Sequence, residues 1–318
     1  MEGFHLNIVI GGGAGFIGAA LGRVLVSMGH RVTAADDLST GYRSSRDSIV
    51  ELAKGKLEHS KFLIKVFEKA TPDLYIHAAG QRDIIRSWED PVGDLERTAH
   101  GFLGVLEACR AVFLPRILLL STGEVLTPEK GGESTPLGEG VPIRPGSPYG
   151  SSHALCEFYL ENFSRRQNQK TTIVRMAPVY GPGQTTYGEG GLVGSAIRQT
   201  LLRSAANPPT IPGNGGRTRD FLYIDDAIEG LLQIILKDKT GIYHLGSGTP
   251  QSDRNLFLVI AGLLGNSYPI NYQALPYPDV PTRILGYERL LLETDWRPEV
   301  DFKDGIDRTI EFFKKGIQ

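Results

Sequence analysis

The stretch IVIGGGAGFIGAALGRVL, residues 8 to 25, decides the fold of this chain. It joins an apolar run of strand length to a segment with helical spacing through Gly12, Gly15 and Gly18, which are separated by two residues each. Glycines in such a turn let the backbone approach a pyrophosphate closely, and the N-terminus of the following helix supplies free N–H groups and a positive dipole. A merely tight turn is the alternative, but the order of strand, turn and helix favours a dinucleotide-binding site.

An acidic pair follows the next strand-like run. RVTAA, residues 31 to 35, ends in Asp36 and Asp37. A carboxylate at this place accepts hydrogen bonds from the adenosine ribose hydroxyls and repels a 2′-phosphate. The sequence therefore predicts NAD rather than NADP as the cofactor.

Apolar runs alternate with helical segments, which predicts an α/β fold with a Rossmann-type doubly wound parallel sheet. The predicted strands are LNIVI (6–10), RVTAA (31–35), DLYIHAA (73–79), RILLLS (116–121) and TTIVRM (171–176). Long crossover helices are predicted at residues 92 to 110 and 149 to 166. Loops rich in glycine and proline follow Pro178, so we predict an NAD-binding domain over 1–177 and a smaller α/β substrate lobe over 178–318, with the chain crossing between them.

The composition is that of an ordinary globular protein. Of 318 residues, 41% are hydrophobic and 22% charged, with a net charge of −2. The basic residues are spread along the chain, which excludes the electrostatic footprint of a nucleic-acid binder. Cys109 and Cys156 form no C-x-x-C pattern, so we predict no disulfide framework and no metal site. No run approaches the ~18 apolar residues of a membrane span, so we expect no membrane contact and a cytoplasmic location.

Several motifs extend over nearly the whole chain. They are GGAGFIG (12–18), DDLSTG (36–41), IHAAG (76–80), LLSTGEV (119–125), PYGSSH (148–153), VYGPGQ (179–184), RTRDFLYIDDA (217–227) and YHLGSG (243–248). Together they resemble the extended short-chain dehydrogenase/reductase family of NAD-dependent nucleotide-sugar epimerases, dehydratases and decarboxylases. The resemblance implies a Rossmann-type sheet that binds NAD and a small C-terminal lobe that closes over a nucleotide sugar.

The resemblance also implies roles for individual residues. Tyr149 matches the family's base, which takes the proton from the C4 hydroxyl of the sugar as hydride leaves C4, and Thr122 matches a hydroxyl in the same hydrogen-bonding network. Arg219 and Arg283 match positions that grip the diphosphate, a task that suits a forked guanidinium, and Gln184 is a further substrate-binding candidate. The cofactor-binding candidates are Gly12, Gly15, Phe16, Ile17, Gly18, Asp36, Ala78 and His153.

Four positions depart from the family pattern. Gly11 stands in place of a threonine, Thr98 and Pro178 in place of asparagines, and His153 in place of the lysine paired with the catalytic tyrosine. That lysine hydrogen-bonds the nicotinamide ribose and lowers the pKa of the tyrosine, which is about 10 without help. His153 lies one helical turn after Tyr149 and can still donate to a ribose hydroxyl, but an unperturbed imidazole is mostly neutral at pH 7.

Three readings of His153 stay open. The positive nicotinamide lowers the pKa of the tyrosine by itself, or His153 is held as an imidazolium, or the chain is a cofactor-sensing or scaffold protein that binds the dinucleotide without turnover. The retained tyrosine, glycines and acid favour an active enzyme.

Glu124 is the residue that bears on the reaction. In the family's 4,6-dehydratases the same stretch reads Thr-Asp-Glu, where the Glu removes the C5 proton and the Asp protonates the departing C6 hydroxyl. Here the Asp is replaced by Gly123. The altered site is similar to what a 5,6-dehydratase requires, as in the branch that acts on UDP-N-acetylglucosamine in tunicamycin biosynthesis. A Glu at this place also occurs in the family's decarboxylases and some of its epimerases.

The sequence thus predicts an NAD-dependent nucleotide-sugar dehydratase, a lyase acting on a UDP-hexosamine. Its predicted catalytic residues are Tyr149, Glu124, Thr122 and His153. The alternative is a UDP-sugar 4-epimerase, which needs no C5 base. Members of this family often dimerise by packing the helices that correspond to 92–110 and 149–166 into a four-helix bundle, so a homodimer is a further expectation.

Overall fold

A computed structural model describes most of the chain, and its elements follow one another as strands and helices in alternation. The described residues are 5–39, 51–112, 116–129, 135–185, 191–202, 207–266, 269–274 and 282–317. The strands are β1 (Asn7–Gly11), β2 (Arg31–Asp36), β3 (Glu51–Lys54), β4 (Leu74–His77), β5 (Arg116–Thr122), β6 (Lys170–Met176), β7 (Val179–Tyr180), β8 (Thr210–Pro212), β9 (Thr218–Arg219), β10 (Leu222–Tyr223), β11 (Gly241–Leu245), β12 (Gln251–Ser252) and β13 (Asn271–Gln273). The helices are α1 (Phe16–Ser27), α2 (Ser60–Ala70), α3 (Ile84–Glu89), α4 (Pro91–Leu95), α5 (Gly101–Ala111), α6 (Pro148–Gln167), α7 (Gly191–Leu202), α8 (Ile224–Leu236), α9 (Asp253–Leu263), α10 (Glu288–Thr294) and α11 (Phe302–Ile317).

Seven of the strands form one sheet in the order β11-β6-β5-β4-β1-β2-β3. The pairs β1·β2, β1·β4, β2·β3 and β4·β5 are parallel. The strand order reverses direction between β4 and β1, and the carboxyl ends of parallel strands at such a switch point are where open α/β sheets bind ligands. This sheet confirms the predicted Rossmann-type fold class.

The sheet is buried because its strands are apolar along their length. All four residues of β4 are buried, as are the last five of β2, the pattern expected when helices cover both faces of a parallel sheet. Helix α1 turns its small and aliphatic residues, including Leu21 and Leu25, into this core. The crossover helices α2 and α5 pack on each other and contribute Leu63, Phe67 and Phe102 to one core cluster.

One of the two predicted long crossover helices is continuous in the structure, and the other is interrupted. Helix α6 begins at Pro148, one residue before the predicted start, and its N-cap Ser147 accepts a hydrogen bond from the backbone N–H of Gly150 (3.1 Å). The predicted helix at 92–110 is interrupted, because Glu96–His100 form a π-helical turn between α4 and α5. Single π turns of this kind occur frequently at functional sites.

Two strands of the sheet were absent from the sequence prediction. Strand β3 reads ELAK, carries a charge at each end and is only partly buried at the edge of the sheet, so it lacks an apolar run. Strand β11 reads GIYHL, with His244 buried among apolar neighbours in sequence. Edge strands that bury only part of their residues give a weak periodic signal.

The chain divides into two compact units. The first comprises Met1–Val125, Ser147–Arg175 and Ile234–Tyr243, and the second comprises Leu126–Gly146, Met176–Gln233 and His244–Gln318. The second unit contains the two-stranded sheets β7·β10, β9·β12 and β8·β13. The predicted domain limits, 1–177 and 178–318 with chain crossing, stay a proposal. Among the residues described, no helix is both long and apolar enough to cross a membrane.

Candidate active site

The glycine-rich turn after β1 has no room for side chains. Gly12 has a φ of +76°, and a Cβ on it would lie 2.7 Å from the backbone nitrogen of Ala79. A Cβ on Gly18 would collide with the carbonyl oxygen of Gly12, whereas one on Gly15 would lie 3.2 Å from that oxygen. The turn therefore keeps bare backbone at the start of α1, as close approach of a pyrophosphate requires.

The other predicted cofactor residues border this turn. Phe16 and Ile17 are the first residues of α1, where N–H groups have no partner within the helix. The backbone N–H of Ala78, directly after β4, donates to the carbonyl of Gly11 (2.8 Å). The structure thus brings the ends of β1 and β4 together beside the N-terminus of α1.

Asp36, the last residue of β2, binds the backbone of the glycine-rich turn. Its carboxylate accepts hydrogen bonds from the backbone N–H groups of Ala14 (3.0 Å) and Leu38 (2.8 Å). Burial raises the pKa of Asp36, and these two hydrogen bonds partly oppose that rise. A carboxylate has about four lone-pair sites, so Asp36 retains acceptors for ribose hydroxyls. The glycine cradle and this acid fit an NAD molecule.

Three predicted catalytic residues lie together at the carboxyl end of β5. Thr122 is the last residue of β5, and its Oγ1 accepts a hydrogen bond from the backbone N–H of Glu124 (3.2 Å). Tyr149, in the first turn of α6, forms a side-chain hydrogen bond with Thr122. Burial raises the pKa of Tyr149, the negative charge of Glu124 raises it further, and Thr122 lowers it. These groups can exchange protons with one bound substrate.

His153 lies beside Tyr149, the predicted base, but burial disfavours the positive charge that a lysine would carry there. Its ring centroid lies 4.7 Å from that of Tyr149, and its side chain is buried, with 7% exposed. Burial lowers the pKa of His153 to about 4, a drop that the Gln81 backbone partly opposes. Neither ring nitrogen has a hydrogen-bond partner within the described residues. Burial thus favours the neutral imidazole over the imidazolium and leaves the ring nitrogens for a ribose hydroxyl.

Gly11 stands where the family pattern has a threonine, and the side chain of Tyr75 fills the space next to it. A Cβ on Gly11 would collide with the hydroxyl of Tyr75, which is fully buried on β4. This hydroxyl lies 3.0 Å from Nδ1 of His77, and burial lowers the pKa of His77 to about 3. The presence of His153 lowers the pKa of His77 further. The lack of a side chain at Gly11 thus leaves room for the hydroxyl of Tyr75, which contacts His77.

Thr98 stands where the family pattern has an asparagine, and its side chain forms a hydrogen bond with the loop after β4. Its Oγ1, in the π-helical turn, accepts a hydrogen bond from the backbone N–H of Gln81 (3.2 Å). This bond ties the loop after β4 to the helical segment that follows α4.

Asp94 is a site residue that sequence reasoning missed. It is fully buried on α4, and its Oδ2 accepts a hydrogen bond from the hydroxyl of Ser152 (2.6 Å). Burial raises the pKa of Asp94, and its charge in turn raises the pKa of Tyr149. An acidic residue on the inward face of a predicted helix was the available signal, because buried carboxylates require polar partners.

A buried ion pair anchors helix α6, which carries the predicted base Tyr149. The guanidinium of Arg175 on β6 donates through Nε (3.1 Å) and Nη2 (2.7 Å) to the carboxylate of Glu157 on α6. The hydroxyl of Ser121 on β5 donates to the same carboxylate (2.5 Å). Glu157 lies one turn after His153, so α6 is fixed against β5 and β6 next to the site.

The predicted substrate-binding residues lie in the second unit. Nε of Arg219 donates to Asp253 (3.1 Å), and Arg283, almost fully buried, donates to the carbonyl of Leu126. The hydroxyls of the residues that precede the two arginines, Thr218 and Thr282, hydrogen-bond each other. The structure thus brings the two arginine backbones together.

Gln184 belongs to the same unit. The buried Oε1 of its side chain has no hydrogen-bond partner within the part of the chain that the structure describes, and its Nε2 lies close to Gly191, at the start of α7. An unpartnered buried amide oxygen is an acceptor for a hydroxyl or N–H group of a ligand.

The two cysteines are buried, and the described ranges contain no cluster of metal-ligating side chains. Cys109 and Cys156 are free and buried, and burial raises the pKa of both to about 12. Within the described ranges, no group of three or more His, Cys, Asp or Glu residues could hold a metal ion.

Comparisons with known proteins agree on one family. The model of the NAD dependent epimerase/dehydratase family matches residues 8–246. A UDP-glucose 4-epimerase of Mycolicibacterium smegmatis is 28% identical over 321 residues, covering 98% of this chain and 100% of the relative. The UDP-glucose 4-epimerase of Thermus thermophilus, solved in complex with NAD, is 29% identical with a TM-score of 0.88, covering 98% of this chain and 99% of that one.

A dehydratase shares the same fold. The dTDP-glucose 4,6-dehydratase of Streptomyces venezuelae is 23% identical with a TM-score of 0.89, covering 98% of this chain and 97% of that one. The family model spans most of the chain, and the glycine cradle, the acid at the end of β2 and the tyrosine at the start of α6 all fit its chemistry. The chain belongs to the NAD dependent epimerase/dehydratase family.

Proposed function

We propose that this enzyme is an NAD-dependent nucleotide-sugar dehydratase of the 5,6 type that acts on a UDP-hexosamine. The observation that carries the proposal is the position of Glu124. Its carboxylate acts electrostatically on Tyr149, and its backbone is tied to Thr122, which hydrogen-bonds the same phenol. A carboxylate beside the proposed base for the C4 hydroxyl supports the proposal that it reaches the neighbouring C5.

Each residue then has one task. Tyr149, as a phenolate hydrogen-bonded by Thr122, removes the proton of the C4 hydroxyl. NAD, when bound, accepts the hydride from C4 and later returns it. The C4 ketone makes the C5–H acidic, so Glu124 removes that proton and transfers it to the C6 hydroxyl, which departs as water and leaves a C5=C6 double bond. Tyr149 finally gives its proton back to the C4 oxygen.

The residues in the second unit are proposed to hold the nucleotide diphosphate. Asp253 binds Nε of Arg219 and so fixes the fork of its guanidinium, which suits bidentate binding of phosphate. The UDP carrier is supported by the names of the relatives, both UDP-glucose 4-epimerases. UDP-N-acetylglucosamine and a place in antibiotic biosynthesis remain parts of this proposal.

The second candidate is a UDP-sugar 4-epimerase, and the names of those relatives favour it. Such an enzyme shares the work of Tyr149 and Thr122 but rotates the keto-sugar instead of dehydrating it. Glu124 would then contact the sugar without removing a proton. The two candidates therefore differ in whether C5 loses its hydrogen.

A substrate panel separates the candidates. Purified protein is incubated with UDP- and dTDP-hexoses and hexosamines, and the products are identified by mass spectrometry and proton NMR, with Tyr149→Phe as an inactive control. Loss of one water with new vinyl protons supports the 5,6-dehydratase. An unchanged formula with inverted C4 establishes the epimerase instead. A 6-methyl signal with a 4-ketone would replace the proposal with an ordinary 4,6-dehydratase.

We also propose a homodimer through helices α3, α4 and α6. These helices contact one another and expose large apolar side chains, namely Trp88, Val92, Leu95, Leu155, Phe158 and Tyr159. Phe158→Glu is expected to convert the dimer to a monomer in light scattering, because it places a charge in the apolar face. Leu292→Glu, at an exposed position of α10, is the matched control. A wild-type monomer, or a Phe158→Glu dimer, would exclude this interface.

A further inference from the structure

The imidazole of His153 is held in place by contacts rather than by hydrogen bonds. Its ring lies edge-on to that of Tyr149, with 4.7 Å between the ring centroids, and its side chain is buried. Neither ring nitrogen has a hydrogen-bond partner within the described residues. The torsion that turns an imidazole about its Cβ–Cγ bond is broad and roughly two-fold, so packing against neighbouring groups decides where each nitrogen points.

The backbone of the loop after β4 is a second neighbour of this ring. A Cβ on Gly80 would lie 3.8 Å from Cε1 of His153, 3.6 Å from Cγ2 of Thr98 and 3.7 Å from Oγ1 of Thr98. Gly80 therefore lies next to both the histidine on α6 and the threonine that follows α4. The Gln81 backbone acts on the same imidazole, because it raises the pKa of His153 against the effect of burial.

Gly80 does not fix the shape of this loop by itself. Its φ is +145°, a conformation that glycine adopts readily but only as one of many, so the flanking residues must hold it. Before it, the backbone N–H of Ala78 donates to the carbonyl of Gly11 (2.8 Å). After it, the backbone N–H of Gln81 donates to Oγ1 of Thr98 (3.2 Å), which is 1% exposed. The Thr98 hydroxyl thus ties the residue next to Gly80 to the segment that follows α4.

We propose that Thr98 is a positioning residue for His153. Its hydroxyl fixes the backbone of Gly80 and Gln81 against the imidazole, and this contact sets the ring orientation in which a nitrogen reaches the nicotinamide ribose of NAD. Thr98 acts on the cofactor through the loop and the histidine, not by a contact of its own. The inference rests on the proposed role of His153 in ribose binding, and it holds for an ene-sugar product and for an epimer alike.

A double-mutant cycle in NAD affinity tests this route. Thr98→Val keeps the shape of the side chain but removes the hydroxyl, and calorimetric titration of the full chain should show NAD binding weakened by about tenfold, the value of one good hydrogen bond. In the His153→Ala background the same substitution should leave NAD affinity within about twofold of its parent, because the group that Thr98 positions is gone. Thr98→Ser keeps the hydroxyl and should bind NAD like wild type.

Thr172→Val is the matched control for the loss of a buried hydroxyl. Thr172, near the start of β6, is fully buried, and its hydroxyl donates to the carbonyl of Lys239 (2.6 Å). We expect this variant to be less stable than wild type and to bind NAD with unchanged affinity. It therefore separates the general cost of a lost hydrogen bond from a lost orientation of His153.

Nitrogen-15 NMR of the histidine side chains reports the state of the ring directly. The chain has seven histidines, and the His153 signals are those that His153→Ala removes. In the NAD-loaded wild type and in Thr98→Ser we expect one tautomer with two distinct ring nitrogens, because a fixed ring offers the ribose the same nitrogen in every molecule. Thr98→Val should give averaged nitrogen shifts.

The inference is overturned if Thr98→Val weakens NAD binding equally with and without His153, or if it leaves both NAD affinity and the His153 signals as in wild type. It is also overturned if Thr172→Val weakens NAD binding as much as Thr98→Val does. If His153→Ala by itself leaves NAD affinity unchanged, the proposed ribose contact fails and the inference fails with it. The cycle distinguishes that result from additive losses at the two positions.

Discussion

His153 stands where the family pattern has a lysine, one helical turn after Tyr149, the proposed base. Its ring lies against Tyr149, yet burial keeps it neutral above about pH 4. Its two unpartnered nitrogens suit hydrogen bonding to a ribose. The sequence identified the substitution and its position, but it could not decide the charge, because the charge depends on burial that only the packed helix reveals.

Replacement of His153 by lysine tests whether position 153 and the phenol of Tyr149 are electrostatically coupled. We expect His153→Lys to move the acidic limb of the pH–rate profile of kcat to lower pH, because an ammonium beside Tyr149 favours the phenolate and so lowers its pKa. The measurement is kcat between about pH 5 and pH 9, with His100→Lys, at an exposed position, as the control. A profile identical to that of wild type would show that position 153 and the phenol are not coupled.

Gly11 and Tyr75 make a second prediction at the residue scale. Gly11→Thr, which restores the family residue, should lower the free energy of unfolding by about 1–3 kcal/mol, because the new side chain collides with the Tyr75 hydroxyl. Tyr75→Val removes that hydroxyl and should tolerate the threonine. Urea unfolding of the two single variants and the double variant measures the coupling. Strictly additive effects would mean that the two sites are independent.

At the scale of elements, helix α6 carries the site and was the best-predicted element. Its capping serine and N-terminal proline mark its start in the sequence. The interruption of the helix at 92–110 was not predictable from periodicity, because a π turn adds one residue without changing the composition. Asp94 was missed for a related reason, since its contact with Ser152 comes from packing between elements.

The anchoring ion pair of α6 gives a prediction at this scale. Glu157→Gln should lower the free energy of unfolding by about 3–5 kcal/mol, because it leaves the buried guanidinium of Arg175 without its counter-charge. Glu161→Gln, one turn further along α6 at an exposed ion pair, should change stability by less than about 1 kcal/mol. Urea unfolding of both variants checks this contrast. Equal losses would show that the buried pair does not anchor the helix.

At the scale of the whole molecule, the fold followed from the opening motif and the alternation of strands and helices. The sheet order places the ends of β1 and β4 at the switch point, where the glycine turn and its acid fit NAD. The opening motif and the order of elements do not determine which reaction the enzyme catalyses. Epimerases and dehydratases share this fold, so the two candidate activities differ in whether Glu124 removes the C5 proton.

Proton NMR of the sugar formed in heavy water by wild-type enzyme and by Glu124→Gln is the most direct test of that assignment. We expect wild type to lose the C5 proton and produce vinyl signals at C6. Glu124→Gln should form no ene-sugar but still show Tyr149-dependent oxidation at C4, because the amide cannot accept the C5 proton. Inversion at C4 with the C5 proton retained, at equal rates in both proteins, would contradict the dehydratase and establish the epimerase.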